Sequence, residues 1–192
     1  MRGVGIIGRA RSGKDAIAAR LVKEHGYRRR ALADPLKRMA LDVDPVVGYE
    51  PGHFGALPVR LTAAVDRWGW DGVKSRYPEG RRFLQRLGTE GVRRQCGADF
   101  WVQRLLDDIE NEPRAWAYEP PPVVVPDVRF ENEARTLREA GFELWFVDRP
   151  GVVGDGHVSE KLGPDLARFV LHNDGAVTDL HRKVDSLMTK DN

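Results

Sequence analysis

The chain has 192 residues, enough for one domain with a sizeable core, and 41% of them are hydrophobic, which excludes a disordered polymer. Net charge is +2, from 31 basic and 29 acidic residues, too even a balance for a dedicated nucleic-acid binder. The single cysteine, Cys96, excludes an intrachain disulfide and a cysteine-based zinc cluster, and reads as a half-buried core thiol on a helix.

No apolar run approaches the length needed to cross a bilayer. The opening MRGVGIIGRARSGK passes from a short apolar segment straight into charge, so no signal peptide is expected and a cytoplasmic location is the default. From there the elements follow in order. Residues 3–7 form a short apolar strand. Residues 15–25 form a helix with Ile17, Ala18, Leu21 and Val22 on one face. Residues 28–32 give a second strand, and a short helix follows around 36–41, with Asp34 and Pro35 at its start. Residues 42–61 are rich in Pro, Gly and Val without clear periodicity and read as irregular. Helical patterns resume over about 61–77, 80–96 and 100–110; the last carries Trp101, Val102, Leu105, Leu106 and Ile109 on one stripe. Strands follow at 122–126, 142–147 and 168–172. A helix lies between the first two, from about 130 to 140 and ending at Gly141, and a closing helix is marked by Val177, Leu180, Val184 and Leu187.

Apolar strands alternating with helices predict an α/β fold: a parallel, doubly wound sheet of five strands with helices on both faces. Ligands bind beyond the carboxyl ends of such strands. The expected organisation is one domain over 1–192, with a helical substrate-side insertion at about 42–117 and a lid-like segment at about 149–167.

Gly8-Arg-Ala-Arg-Ser-Gly13-Lys14-Asp15 follows a strand and opens a helix, matching G-x-x-x-x-G-K. Glycines let the backbone wrap an anion, and the amides of the loop and first helical turn point at a β-phosphate. Arg11, Ser12, Gly13, Lys14, Asp15 and Ala16 are therefore the expected ATP-binding residues, with Lys14 bridging the β- and γ-phosphates. Asp15 stands where a hydroxyl is usual. Its carboxylate suits Mg²⁺, a cation of hard oxygen ligands, or else complements the helix dipole.

The run Val123-Val-Val-Pro-Asp127-Val-Arg129-Phe-Glu-Asn-Glu133 places a carboxylate and a guanidinium at a strand's carboxyl end. Asp127 is a candidate second metal-orienting carboxylate and Arg129 a phosphate clamp. The local alternative has Asp127 capping the next helix and Arg129 pairing with Glu133.

Together these motifs resemble the bacteriophage-type deoxynucleoside monophosphate kinases, a branch of the P-loop nucleoside monophosphate kinases. The matching segments are GRARSGKD at 8–15, ADPLK at 33–37, RRFLQRLGTE at 81–90, DFW at 99–101, VVVPDVRFENEA at 123–134, DRPG at 148–151, HVSE at 157–160 and HNDG at 172–175. The resemblance implies a P-loop kinase fold, ATP as donor, Mg²⁺, a deoxynucleoside monophosphate as acceptor, a homodimer, and action in the host cell cytoplasm for a phage protein. It also assigns residues. Lys37 is an acceptor contact, Arg82, Gly88 and Thr89 lie on a substrate-binding helix, and Trp101 sits beside the base or supports its pocket. Arg60 is a further phosphate ligand, and Asp127, Arg129 and Glu133 lie on the acceptor side. Arg149 lies near the donor nucleotide, and Lys161 belongs to the lid.

Each residue has a plainer alternative. Lys37 and Arg82 as solvated helix faces, Trp101 as core, Gly88 as a helix-packing glycine and His157 as a loop hydrogen-bonder are all ordinary. His172, Asn173 and Asp174 read as a strand-to-helix turn capped by Asp174. In the expected reaction the acceptor's phosphate oxygen is already the nucleophile, so alignment and charge stabilisation by Lys14, Arg82 and Arg129 carry catalysis. The competing readings are a kinase of another small metabolite, such as dephospho-coenzyme A, an ATP-dependent nucleic-acid motor module, and a nucleotide-binding switch.

Overall fold

The computed structural model describes residues 3–112, 120–151 and 162–190, the side chain of the last excepted. In chain order the elements are β1 (Gly3–Gly8), α1 (Lys14–His25), β2 (Arg28–Arg29), α2 (Ala33–Val43), β3 (Val46–Gly52), β4 (Gly55–Arg60), α3 (Leu61–Arg76) and α4 (Pro78–Gln85). There follow a π-helical stretch (Arg86–Arg93), α5 (Arg94–Cys96), α6 (Phe100–Glu110), β5 (Val123–Val128), α7 (Glu131–Glu139), β6 (Phe142–Asp148), β7 (Phe169–His172) and α8 (Val177–Lys190). They divide into two compact units, Met1–Leu32 with Val102–Asn192, and Ala33–Trp101. Residues 152–161, which hold most of the lid-like segment with His157 and Lys161, lie outside the described residues. Among the described residues no helix is long and apolar enough to cross a membrane.

The first unit is a five-stranded sheet of order β2-β5-β1-β6-β7, parallel at every pairing. Along β5, Val124 points to one face while Val123 and Val125 point to the other, the period of two that a strand imposes. On the first face Val4, Ile6, Val124, Trp145 and Leu171 pack against Ile17 and Leu21 of α1 and Leu180 and Val184 of α8. On the second, Ile7, Val125, Val128 and Leu144 meet Val102, Leu105 and Ile109 of α6 and Ala134 and Leu137 of α7. Because both faces are covered, the strands read as continuous apolar runs. Each such Val, Leu or Ile contributes roughly 1.5–3 kcal/mol on burial. The structure has the α/β fold expected from the sequence.

One irregularity has a consequence for chemistry. β1 and β5 run in step from Gly3↔Val123 to Gly5↔Val125, then jump to Ile7↔Val128, so β5 carries one extra residue at Pro126-Asp127. Proline has no N–H to give to a ladder, so the bulge falls there. The bulge re-aims Asp127, whose Oδ1 accepts a hydrogen bond from Leu32 N at 2.9 Å.

The second unit has its own core of Ala40, Val47, Leu61, Ala64, Val73 and Tyr77. Within residues 42–61, expected to be irregular, residues 46–60 form an antiparallel hairpin in which Gly52 pairs with Gly55 around His53-Phe54. Both strands are edges, so Pro51 and Pro58 fit without breaking a ladder. Most hairpin residues are partly or fully exposed, so no alternating pattern marks it in the sequence. α3 bends at Gly69, which lies at φ 64, ψ 173. The helical pattern expected over 80–96 is present but interrupted by the π-helical stretch. Cys96 is exposed rather than half-buried, at the end of α5, none of whose residues is buried. In the first unit Asp174 does not cap α8: its carboxylate pairs with Lys183 at 2.8 Å, and Asp179 Oδ2 accepts from Ala176 N instead.

α1 and α8 are tied by an ion cluster. Arg20 Nε and Nη2 donate to the two Asp185 oxygens at 3.0 and 2.7 Å, and His25 Nε2 lies 2.8 Å from Oδ1. The Arg20 hydrogen bonds, then that of His25, hold the Asp185 carboxyl down to about 2 from its ordinary 3.8. The unfolded chain thus binds this proton more readily than the folded one. The contribution is complete above the ordinary carboxyl range and is lost as pH falls from about 4 toward 2. Asp185→Asn is expected to lower the thermal midpoint at neutral pH, with the difference from wild type shrinking toward zero across that acid window. Melts at several pH values check this, and a gap that stays constant down to about pH 2 would refute it.

Candidate active site

The loop between β1 and α1 is shaped as an anion cradle should be. Gly8 lies at φ 151, Arg11 at φ 61 and Gly13 at φ 110, so three residues of the turn take left-handed conformations. Ser12 N donates back to the Arg9 carbonyl at 3.2 Å, closing the turn. Lys14 Nζ donates to the carbonyls of Gly8 at 2.7 Å and Arg9 at 2.6 Å, which holds its ammonium over the loop and not out in solvent. Gly13 occupies the N-cap position of α1, so the helix's unpaired amides open directly onto this turn.

Three neighbouring side chains bear on the loop. Arg149, just past β6, donates from Nη1 to the Arg11 carbonyl at 3.1 Å, so the structure brings this expected donor-side arginine to the phosphate loop. Asn173, just past β7, donates from Nδ2 to the Ser12 carbonyl at 2.8 Å. Asp15, in the first turn of α1, has a side chain 88% exposed whose nearest cation is Arg29 Nη2 at 3.6 Å. Ala16 packs at the margin of the core under α1. Ser12 is buried at 1% exposure, and its hydroxyl makes no hydrogen bond.

At the end of β5 the acidic motif separates into two jobs. Glu133 is 3% exposed, and its Oε2 accepts from the backbone amides of Arg129 at 2.9 Å and Phe130 at 3.1 Å. Its carboxylate therefore closes the N-terminus of α7, a capping role in which the backbone of Arg129, not its guanidinium, is the partner. The Arg129 side chain is exposed and lines a cavity of about 610 Å³ with Phe130, Asn132, Arg135, Leu162 and Asp165. Asp127 commits its Oδ1 to Leu32 N.

In the second unit, Lys37 Nζ lies 5.5 Å above the Trp70 ring. Arg60 Nη1 donates to the Asp44 carbonyl at 2.8 Å, and Arg82 forms an ion pair with Glu79 one turn away. Gly88 and Thr89 fall in the π-helical stretch, a geometry that recurs at functional sites. Trp101 is 4% exposed, and its Nε1 donates to the Gly88 carbonyl at 3.0 Å. A Cβ on Gly88 would come within 3.0 Å of Leu36 Cδ2, so this glycine also serves close packing. Trp101 thus supports the stretch that carries Gly88 and Thr89.

Sequence reasoning passed over Asn173 as a residue with chemistry. Two signals marked it: its place immediately after a strand, where an α/β sheet presents its ligand-facing residues, and its membership of the HNDG segment at 172–175. No group of three or more His, Cys, Asp or Glu that could hold a metal occurs among the described residues.

Comparison with known proteins bears on identity. A family model described as deoxynucleotide monophosphate kinase matches residues 78–184, more than half of the chain. An Acanthamoeba polyphaga mimivirus protein, provisionally named a deoxynucleotide monophosphate kinase, is 28% identical over 169 residues, covering 82% of this chain and 79% of its own. The deoxynucleotide monophosphate kinase of Enterobacteria phage T4 is 30% identical over 107 residues, 54% of this chain and 43% of its own. Among solved structures, a dephospho-CoA kinase from Campylobacter jejuni is 13% identical at a TM-score of 0.47, covering 99% of this chain and 97% of that one. A Thermus thermophilus protein is 18% identical at a TM-score of 0.49, covering 97% and 96%. The family match begins after residues 8–15, so the phosphate loop is a separate observation that agrees with it. On that match, the chain belongs to the deoxynucleotide monophosphate kinase family.

Proposed function

We propose that the chain transfers the γ-phosphate of ATP to a deoxynucleoside monophosphate, with Lys14 and the 8–15 loop as the donor site. The observation that carries this reading is the turn with φ values of 151, 61 and 110, with Lys14 folded over its carbonyls. A phosphate oxygen of the acceptor attacks the γ-phosphorus, the bond to the β-bridging oxygen breaks, and ADP leaves with that electron pair. The nucleophile is already anionic, so no general base is needed, and the work is alignment and charge neutralisation.

Lys14, the loop amides and Arg149 hold the polyphosphate. Arg129 neutralises the transferring group or the acceptor phosphate, a task suited to a planar, permanently charged donor. Lys37, Arg60, Arg82, Gly88, Thr89 and Trp101 take the acceptor-side roles that the family resemblance assigns, Trp101 acting through its hydrogen bond to Gly88. Glu133 shapes the acceptor side by fixing the backbone at Arg129 and Phe130. Asp15 and Asp127 are the carboxylates that would hold Mg²⁺, which takes one or two carboxylates together with phosphates and keeps several waters, and the ion would supply charge neutralisation on the nucleotide's phosphates. We also propose a homodimer. Tyr49, Phe54 and Leu57 of the hairpin are large exposed apolar residues suited to a contact, and sedimentation at a single monomer mass would dismiss it.

A coupled ADP-release assay over the deoxynucleoside monophosphates, with dephospho-coenzyme A and single-stranded DNA as further arms, tests the reaction. Release dependent on a deoxynucleoside monophosphate is expected. Release stimulated only by dephospho-coenzyme A or by DNA would replace this reading with another kinase or a motor.

A further inference from the structure

Asn173 is held at both ends. Its backbone N–H donates to the Asp148 carbonyl at 2.7 Å, which extends the β6–β7 ladder by one residue. Its side-chain Nδ2 donates to the Ser12 carbonyl at 2.8 Å. The acceptor is a carbonyl, so the NH₂ of the amide must face it. The edge strand of the sheet thus reaches the phosphate loop through one side chain.

The Ser12–Gly13 peptide is trans, as are all the described peptide bonds. In a trans peptide the C=O and N–H point in opposite directions. Holding the Ser12 carbonyl toward the end of β7 therefore fixes the Gly13 N–H pointing the other way. The approach is so close that a Cβ on Gly13 would sit 2.6 Å from Asn173 Nδ2 and 3.1 Å from Leu180 Cδ2. Asn173 and Gly13 are matched: the glycine at φ 110 leaves the room, and the amide uses it.

We propose that Asn173 is a positioning residue for phosphoryl transfer, presetting the Ser12–Gly13 peptide so that the Gly13 N–H is aimed at the donor's β-phosphate before the nucleotide arrives. The inference rests on the phosphate-loop reading above. A donor fixed in advance spends nothing on reorganisation when the anion binds. Ser12 itself does not fix that peptide through its side chain, because its buried hydroxyl makes no hydrogen bond.

Two variants test this. Asn173→Asp keeps the shape, but its carboxylate cannot donate to the Ser12 carbonyl and repels both it and incoming phosphate. Asn173→Ala removes the donor without adding charge, and decides the matter if the aspartate variant fails to fold. The readouts are ATP and ADP affinity by calorimetry, KM for ATP and for the acceptor, and the thermal midpoint without nucleotide. Asn173→Ala is expected to weaken ATP and ADP alike by about fivefold, the worth of one hydrogen bond, and Asn173→Asp by more. KM for the acceptor stays at the wild-type value. A purely structural residue would lower the midpoint and leave nucleotide affinity alone, or raise both KM values together; either outcome overturns the proposal. Lys14→Ala is measured in parallel. If it loses ATP while the Asn173 variants do not, only the positioning role falls. If Lys14→Ala binds ATP as wild type does, the phosphate-loop reading falls and the positioning role with it.

Discussion

Lys14→Ala is expected to remove nearly all turnover, about a hundred- to a thousandfold, while the protein stays folded. The size follows from what the ammonium does. A charge-assisted hydrogen bond to phosphate is worth about twice a neutral one, and it strengthens as charge shifts toward the β-bridging oxygen during transfer. The fold tolerates the change because Lys14 lies at the start of α1, where alanine is a good helix former, and its side chain packs into neither core cluster of the first unit. The structural losses include the hydrogen bonds to the Gly8 and Arg9 carbonyls, which water replaces. Steady-state turnover alongside a thermal melt separates the two effects. Wild-type turnover in a folded Lys14→Ala protein would remove the loop from the mechanism.

Arg129→Ala is the second large effect, expected to cut turnover about a hundredfold or more with little change in stability. The structure separates the two functions at this position. The Arg129 backbone N–H is taken by Glu133, while its exposed guanidinium lines the cavity beyond β5. Alanine keeps the first and deletes the second. Arg129→Lys is expected to recover only part of the activity, because an ammonium cannot make the planar two-pronged contact. Glu133→Ala gives the contrasting pattern. It leaves two amides at a partly buried helix start without their acceptor, at about 1–2 kcal/mol, so its first effect is a lower melting temperature. Equal losses of stability in Arg129→Ala and Glu133→Ala, with turnover of the folded fraction unchanged, would make Arg129 a structural residue.

The parts of the molecule legible in the sequence are those where local pattern and tertiary fate agree. Val123-Val-Val reads as a strand because both of its faces are buried. GRARSGKD reads as a phosphate loop because its glycines fall where the backbone takes positive φ. The hairpin at 46–60 was illegible for the opposite reason. Its strands are exposed edges containing Pro51 and Pro58, so neither alternation nor composition marks them. The π-helical stretch was illegible because Leu87 and Val92 are its only large apolar residues, too few to set a period. Glu133 reads in the sequence as an acceptor-side residue, yet its carboxylate is buried against two backbone amides. Asp127 depends on a bulge caused by Pro126, a pairing event that a single strand's sequence does not display. Asn173 depends on β7 lying at the edge of the sheet next to β6, which only the topology supplies.

The most direct measurement follows radiolabelled γ-phosphate from ATP in single-turnover mixtures with magnesium and each deoxynucleoside monophosphate. The label is expected to move into a deoxynucleoside diphosphate, and to stay in ATP when Lys14→Ala replaces the wild-type protein. Label released only as inorganic phosphate, or retained in ATP with every acceptor, would contradict the account.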